Sequence, residues 1–225
     1  MPHPIRAILW DLDGVLVDTE TLLFEAERIA FAHYGATITP EFKRAFIGMG
    51  GNEVLQAMSD ALGLTVDLTE LGRRKMDEYA RQLPFLQGFA PTAAMVRAFD
   101  AAGLPQAVAS GSSPEAIRAA LRLIDLDQIL TTQVSVAQVA AGKPAPDVFL
   151  AAARELGVDP QHCLVIEDAV PGVRAAQAAG MQVIAIPSVT DPLDPHFESA
   201  TILVRDGMSG VDPEALVATA LSDSP

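Results

Sequence analysis

The second half of the chain alternates short apolar runs with amphipathic segments, and this alternation constrains the fold more than any other feature of the sequence. The apolar runs are continuous, as expected for strands that are buried on both faces. The segments between them have helical spacing, and several begin at proline or end at glycine. The pattern therefore predicts an α/β fold in which helices cover a parallel sheet. The predicted strands are residues 5–10, 106–109, 163–166, 182–186 and 202–204, and the predicted helices are residues 92–102, 114–124, 146–156, 171–179 and 213–221.

A long helical stretch interrupts the alternation soon after the first predicted strand. Residues 19–87 show helical patterns, broken by a glycine run at residues 48–51, and contain no convincing strand. We therefore expect a Rossmann-like α/β core formed by residues 1–18 and 88–225. Residues 19–87 are expected to form an inserted, all-helical cap domain.

The charge balance limits the classes of partner. The chain of 225 residues carries a net charge of −14, with 29 acidic and 15 basic residues. A field of this sign repels nucleic acid and anionic membranes, so we expect neither as a partner. It also repels phosphorylated ligands at long range, so a phosphate site in this chain needs local positive charge or a metal ion.

Cysteine content and hydropathy indicate the compartment. Cys163 is the only cysteine, which excludes an intramolecular disulfide and a cysteine-based zinc site and fits a reducing, cytoplasmic setting. The apolar run before Asp11 is too short for a signal peptide, and no run approaches eighteen apolar residues. Without a heptad run or an interface signature, we expect a monomer.

Polar side chains follow three of the predicted strands and lie in one further loop. Asp11 and Asp13 follow the first strand, Ser110 follows the second, and Glu167 with Asp168 follows the strand at 163–166. Because ligand sites in open parallel sheets form outside the carboxyl ends of the strands, these groups should gather at one edge. Lys143, in the loop before the predicted helix 146–156, is expected to join them.

Such a cluster suits a hard divalent cation. Converging carboxylates repel one another unless one is protonated or a cation is present. Mg²⁺ prefers oxygen ligands and commonly takes one or two carboxylates together with phosphate and water. Asp11 and Asp168 are the natural ligands, and Lys143 would hold a phosphoryl oxygen. Ser110 and nearby backbone N–H groups, such as that of Gly111, would donate to the same phosphate.

The Asp-x-Asp spacing suits phosphoryl transfer. A carboxylate held beside phosphate can attack phosphorus and form an aspartyl-phosphate, which assigns Asp11 as the nucleophile. A second carboxylate two residues later points the same way on a strand. Asp13 could therefore protonate the leaving oxygen and later activate the water that hydrolyses the intermediate.

These four motifs, in this order, resemble those of the haloacid dehalogenase superfamily, in the phosphatase branch with a helical cap. The resemblance implies a phosphoric monoester hydrolase acting on a small phosphorylated metabolite, such as a sugar phosphate. It also implies Mg²⁺ held by Asp11, the backbone carbonyl of Asp13 and Asp168, with Glu167 in or beside that shell. In the cap, Lys75 and Asn52 match positions that could contact substrate, although both also fit structural roles.

Two alternatives remain open from the sequence. A β-phosphoglucomutase-like mutase shares the motif set, but those enzymes carry a cap histidine after the first motif and an arginine in the glycine-containing cap loop. Residues 21–24 and 48–53 contain neither, which favours water over a sugar hydroxyl as the phosphoryl acceptor. A non-catalytic binding protein would be indicated by degraded catalytic positions, and the motif residues are intact.

Overall fold

The computed structural model describes residues 1, 3–46 and 51–222, except for the side chains of residues 51 and 52. It divides into two compact units, Met1–Asp18 with Gln87–Pro225, and Thr19–Leu86. The first unit contains six strands: β1 (Ala7–Trp10), β2 (Gln106–Ser110), β3 (Thr132–Ser135), β4 (Cys163–Glu167), β5 (Gln182–Ala185) and β6 (Ile202–Leu203). The α-helices of the chain are α1 (Thr19–Ala32), α2 (Pro40–Arg44), α3 (Gly51–Ala61), α4 (Leu68–Gln82), α5 (Ala90–Ala101), α6 (Pro114–Leu123), α7 (Asp147–Leu156), α8 (Val170–Ala178) and α9 (Pro213–Leu221).

The sheet is parallel throughout and has the order β3-β2-β1-β4-β5-β6. This confirms the predicted α/β fold with a parallel sheet. The first strand lies near the middle of the sheet, where Leu9 is in register with Ala107 of β2 and Val165 of β4. The carboxyl ends of β2, β1 and β4 are therefore neighbours at one edge of the sheet.

The strand β3 was not predicted from the sequence. Its residues Thr132 and Gln133 are only half-buried, because β3 is an edge strand. It consequently lacks the continuous apolar run that marked the central strands. Its last residue, Ser135, is completely buried.

Helices cover both faces of the sheet. Successive strand residues point to opposite sides, so they pack against different helices. On one side Leu9 of β1 belongs to a buried cluster with Phe149 of α7 and Val173 of α8. On the other side Trp10 contacts the ring of Phe99 of α5, with 6.2 Å between ring centroids. The Trp10 indole N–H is buried and donates to Gln106 Oε1 at 2.9 Å, which satisfies its hydrogen-bonding need inside the core.

Hydrogen bonds join the two parts of the first unit where the chain leaves it, near residue 18, and returns to it, near residue 87. Val17 and Gly88 form an antiparallel bridge. Beside it the N–H of Asp18 donates to the carbonyl of Gln87 at 2.9 Å, and the N–H of Phe89 donates to the carbonyl of Leu16 at 3.0 Å. Residues 16–18 and 87–89 thus lie side by side within this unit.

The second unit is entirely helical where it is described. Its core is a cluster of buried residues that includes Phe31 of α1, Leu55 and Met58 of α3, and Leu71 of α4. The side chains of Thr39 and Asp67 cap the first turns of α2 and α4 by accepting backbone N–H groups. In the described part of the chain, the helices are all too short or too polar to cross a bilayer.

Candidate functional site

The polar groups singled out in the sequence meet at the carboxyl edge of the sheet. Asp11 comes directly after β1, Ser110 is the last residue of β2, and Glu167 is the last residue of β4. Asp11 is fixed to the neighbouring strand, because its N–H donates to the carbonyl of Ile166 at 3.0 Å. The adjacency of these three strands, rather than closeness in sequence, builds the site.

Lys143 joins two of the acidic groups. Its Nζ donates to Glu167 Oε1 at 2.7 Å and to Asp11 Oδ1 in a short contact. The Lys143 side chain is 12 % exposed, and its ammonium lies 4.8 Å from the centroid of the Phe149 ring. The loop before α7 therefore places a largely desolvated cation between the ends of β1 and β4.

Among its described residues, the site contains more acidic side chains than cationic ones, since Lys143 supplies its one ammonium group. Burial raises the pKa of Asp11 to about 8, and Glu167 and Asp13 add to the shift while Lys143 opposes it. Burial, followed by the charges of Glu167 and Asp11, also raises the pKa of Asp168 well above its ordinary value. For Lys143, burial acts to lower the pKa, but the charges of Asp11 and Glu167 outweigh it and raise the pKa above the ordinary lysine value. We take Lys143 to be charged, so the cluster holds more acidic groups than its one ammonium can balance.

Two glycines make space for the two carboxylates that follow β4. A Cβ atom placed on Gly14 would lie 2.2 Å from Asp168 Oδ2, and Gly14 also has a φ of +84°. A Cβ atom on Gly172 would lie 1.6 Å from Glu167 Oε1. Glu167 Oε2 accepts the N–H of Ala169 at 2.8 Å, which fixes the carboxylate against the start of α8. Glu167 and Asp168 can thus occupy these positions only because Gly172 and Gly14 have no side chain.

We expect Gly172→Ala to destabilise the protein, although alanine normally favours a helix over glycine by about 1 kcal/mol. The added methyl group displaces the Glu167 carboxylate, and such overpacking costs roughly 1–3 kcal/mol. Circular dichroism during thermal unfolding measures the effect. The control is Gly142→Ala, whose methyl group would meet Val136 Cγ1 at an ordinary 3.7 Å. A Gly172→Ala protein as stable as the wild type would contradict the steric argument.

Hydroxyl groups surround the second aspartate. Asp13 Oδ2 accepts Ser112 Oγ at 2.8 Å and Ser110 Oγ at 3.4 Å. Ser110 Oγ in turn accepts the N–H of Ser112 at 2.9 Å. The structure therefore places Ser110 and Ser112 next to Asp13; the sequence argument assigned Ser110 to the phosphate and gave Ser112 no role. Its position two residues after a candidate site residue at a strand end was the available signal.

The loop after β2 also offers backbone donors. Gly111 is exposed, and a Cβ atom placed on it would meet no atom within 4 Å. Its backbone therefore borders open space in front of Ser110. Ser113 caps the first turn of α6, because its side chain accepts the N–H of Ala116 at 3.2 Å.

Of the two cap residues that the sequence offered as substrate contacts, the structure describes the side chain of Lys75. Lys75 Nζ donates to Glu27 Oε1 at 2.7 Å, and Glu27, which is 1 % exposed, also accepts Lys43 at 2.5 Å. Lys75 is thus held in an ion pair inside the helical unit rather than extended on a solvated face. The side chain of Asn52 lies outside the described residues.

The donor set is suited to a hard cation. Asp11, Asp13 and Asp168 offer oxygen atoms only, and the cluster has more carboxylates than its single lysine can neutralise. In the described ranges, no three acidic, histidine or cysteine side chains are already arranged around one metal position. Asp11 and Glu167 are instead bound to Lys143, so cation binding requires some of these side chains to rearrange.

Comparison with known proteins identifies the family. Residues 5–180 match the family model described as haloacid dehalogenase-like hydrolase. The chain is 32 % identical over 181 residues to the phosphorylated carbohydrates phosphatase of Thermotoga maritima, an alignment that covers 80 % of this chain and 84 % of that protein. It is 31 % identical over 183 residues to the bifunctional riboflavin kinase/FMN phosphatase of Arabidopsis thaliana, covering 81 % of this chain but only 48 % of that protein.

A solved structure agrees over nearly the whole chain. A HAD family hydrolase from Deinococcus radiodurans, crystallised with phosphate and sodium bound, superposes with a TM-score of 0.83 at 25 % identity. The match covers 96 % of this chain and 96 % of that one. With its parallel sheet, the convergence of its four motifs and these similarities, the chain belongs to the haloacid dehalogenase-like hydrolase family.

Proposed function

We propose that this protein is a Mg²⁺-dependent phosphatase that hydrolyses a small phosphorylated metabolite through an aspartyl-phosphate on Asp11. One observation carries the proposal: Lys143 bridges Asp11 and Glu167 in a buried, oxygen-rich cluster at the carboxyl edge of the sheet. A nucleophilic carboxylate, a fixed cation and surplus acidic groups are the parts that phosphoryl transfer requires.

Lys143 and the loop after β2 would bind the phosphoryl group. The Lys143 ammonium attracts phosphoryl oxygens and acts to lower the pKa of Asp11, which favours the ionised form that attacks phosphorus. Ser110 and the backbone N–H of Gly111 would donate to the same oxygens. When bound, Mg²⁺ held by Asp11, the carbonyl of Asp13 and Asp168 would supply the positive charge that offsets substrate and carboxylates.

The reaction then has two steps on the protein's own side chains. A carboxylate oxygen of Asp11 forms a bond to phosphorus as the bond to the leaving oxygen breaks, and Asp13 gives that oxygen its proton. Asp13, now ionised, removes a proton from water. The resulting hydroxide attacks phosphorus, releases inorganic phosphate and restores Asp11. Two carboxyl groups thus complete the cycle without net change in the protein.

The relatives indicate the kind of substrate. The names of the two relatives describe phosphatases of carbohydrate phosphates and of FMN, and the related crystal structure contains phosphate. Residues 21–24 lack the histidine of β-phosphoglucomutase-like enzymes. We therefore propose hydrolysis of a sugar phosphate or similar metabolite, with water rather than a sugar hydroxyl as acceptor.

We expect release of inorganic phosphate from p-nitrophenyl phosphate and from at least one member of a sugar-phosphate panel. Release should require Mg²⁺ and should stop when EDTA is added. Assays with a sugar monophosphate plus its bisphosphate, followed by product chromatography, distinguish the mutase. Isomerisation without stoichiometric phosphate release would replace the phosphatase proposal, and tight ligand binding without turnover would indicate a binding protein.

A further inference from the structure

Among the described residues, the hydrogen bonds to the Asp13 side chain all go to one of its two carboxylate oxygens. Ser112 Oγ donates to Oδ2 at 2.8 Å, and Ser110 Oγ lies 3.4 Å from the same atom. Within the described part of the chain, no donor is hydrogen-bonded to Oδ1. Because Oδ2 is occupied, Oδ1 is the oxygen that remains able to carry a proton and to pass it to a reacting group.

Ser112 is itself fixed from two sides. Its N–H donates to Ser110 Oγ at 2.9 Å, and its carbonyl accepts Ser135 Oγ at 2.6 Å. Ser135 is completely buried at the end of β3 and is held in turn by Gln138, whose Oε1 accepts the N–H of Ser135 at 2.8 Å. The backbone of Ser112, two residues after β2, is therefore anchored to the last residues of β2 and β3 by these hydrogen bonds.

We propose that Ser112 is a positioning residue for acid–base catalysis, which holds Asp13 Oδ2 so that Oδ1 faces the leaving oxygen. This inference rests on the proposed phosphatase function. Ser112 does not exchange the proton itself. Its hydroxyl fixes the rotation of the Asp13 carboxylate, and an acid that is free to rotate spends less time within reach of the atom it must protonate.

The role predicts a selective defect that depends on the leaving group. Nitrophenolate departs readily without a proton, whereas the alkoxide of a sugar phosphate needs one in the transition state. We expect Ser112→Ala to lower kcat/KM about tenfold or more for the sugar phosphate that the wild type hydrolyses fastest, within the range attributed to general acid catalysis. For p-nitrophenyl phosphate, the expected decrease is less than about threefold. Using kcat/KM confines the comparison to steps up to phosphoryl transfer.

Three further variants separate positioning from a general structural effect. Ser112→Thr keeps a hydroxyl and should restore most of the lost selectivity. Ser113→Ala removes the neighbouring hydroxyl, which caps α6, and should leave the ratio of the two kcat/KM values unchanged. In an Asp13→Asn background, Ser112→Ala should cause little additional loss with the sugar phosphate, because residues that act as one unit are not additive.

The outcomes are distinguishable from failure of the proposed function. If the wild type hydrolyses no phosphate ester in the presence of Mg²⁺, the phosphatase proposal itself fails. If the wild type is active but Ser112→Ala lowers kcat/KM equally for both substrates, or for neither, the positioning role is wrong. Additive losses in the double variant would also overturn it.

Discussion

Asp11→Asn is expected to lower kcat/KM for every hydrolysed phosphate ester by about 10⁴-fold or more, the scale seen when a nucleophile is removed. The amide keeps the size and shape of the carboxylate but cannot attack phosphorus. The substitution also removes a buried acidic group whose pKa is raised to about 8. The variant should therefore fold normally, and loss of activity with an unchanged circular dichroism spectrum is the expected result.

Trapping the covalent intermediate tests the nucleophile role of Asp11 directly. Acid quenching of the wild type during turnover, followed by peptide mass spectrometry, should find a phosphoryl group on the peptide that contains Asp11. With p-nitrophenyl phosphate, whose leaving group needs no proton, Asp13→Asn should accumulate more of this species, because hydrolysis of the intermediate loses its base. The control is Asp100→Asn, which changes an exposed aspartate of α5. Activity retained by Asp11→Asn, or a phosphoryl group on another residue, would remove Asp11 from the nucleophile role.

Lys143→Met is expected to lower kcat/KM by roughly 10²–10³-fold, as observed when one preorganised group that stabilises transition-state charge is removed. It should also lower the stability of the metal-free protein by about 3 kcal/mol near neutral pH, because Asp11 and Glu167 lose their buried cation. Without the ammonium, the pKa of the Asp11 carboxyl group rises further in the folded state. Asp11 of the variant then stays protonated to a higher pH in the folded state than it does in the wild type, so the stability deficit should grow as the pH rises above about 8.

A double variant tests the electrostatic origin of this deficit. Lys143→Met combined with Asp11→Asn removes one positive and one negative group, and should recover part of the stability lost by Lys143→Met alone. Calorimetry at several pH values in EDTA measures both effects. Equal stability of Lys143→Met and the wild type across the pH range, or a deficit that shrinks with rising pH, would show that the charge of Lys143 does not hold the cluster together.

The central part of the fold was accessible from the sequence because its signals are strong and local. The strands β1, β2, β4 and β5 are continuous apolar runs, and each lies in the interior of a sheet covered on both faces. The edge strand β3 was missed, since half-buried Thr132 and Gln133 give no apolar run. Its residue Ser135 supports the site, so the missed strand also concealed a contact of functional interest.

The site was predicted less completely than the sheet. The convergence of Asp11 and Glu167 followed from the rule that parallel strands place their carboxyl ends together, whereas Lys143 was expected to join them from a loop. The Ser112 contact with Asp13 could not be deduced, because a hydroxyl after a strand most often serves only as a helix cap. The burial of Glu27 between two lysines was also unpredictable, since no spacing in the sequence relates residues 27, 43 and 75.

Trp10 is the only tryptophan of the chain, and it lies wholly within the core immediately before Asp11. Its emission therefore comes from a single place, the residue directly before Asp11, the carboxylate on which the chemistry is proposed to occur. Changes in intensity or wavelength during addition of cation or phosphate would report events at that carboxylate without any attached label. The protein thus carries its own optical probe for rapid-mixing experiments.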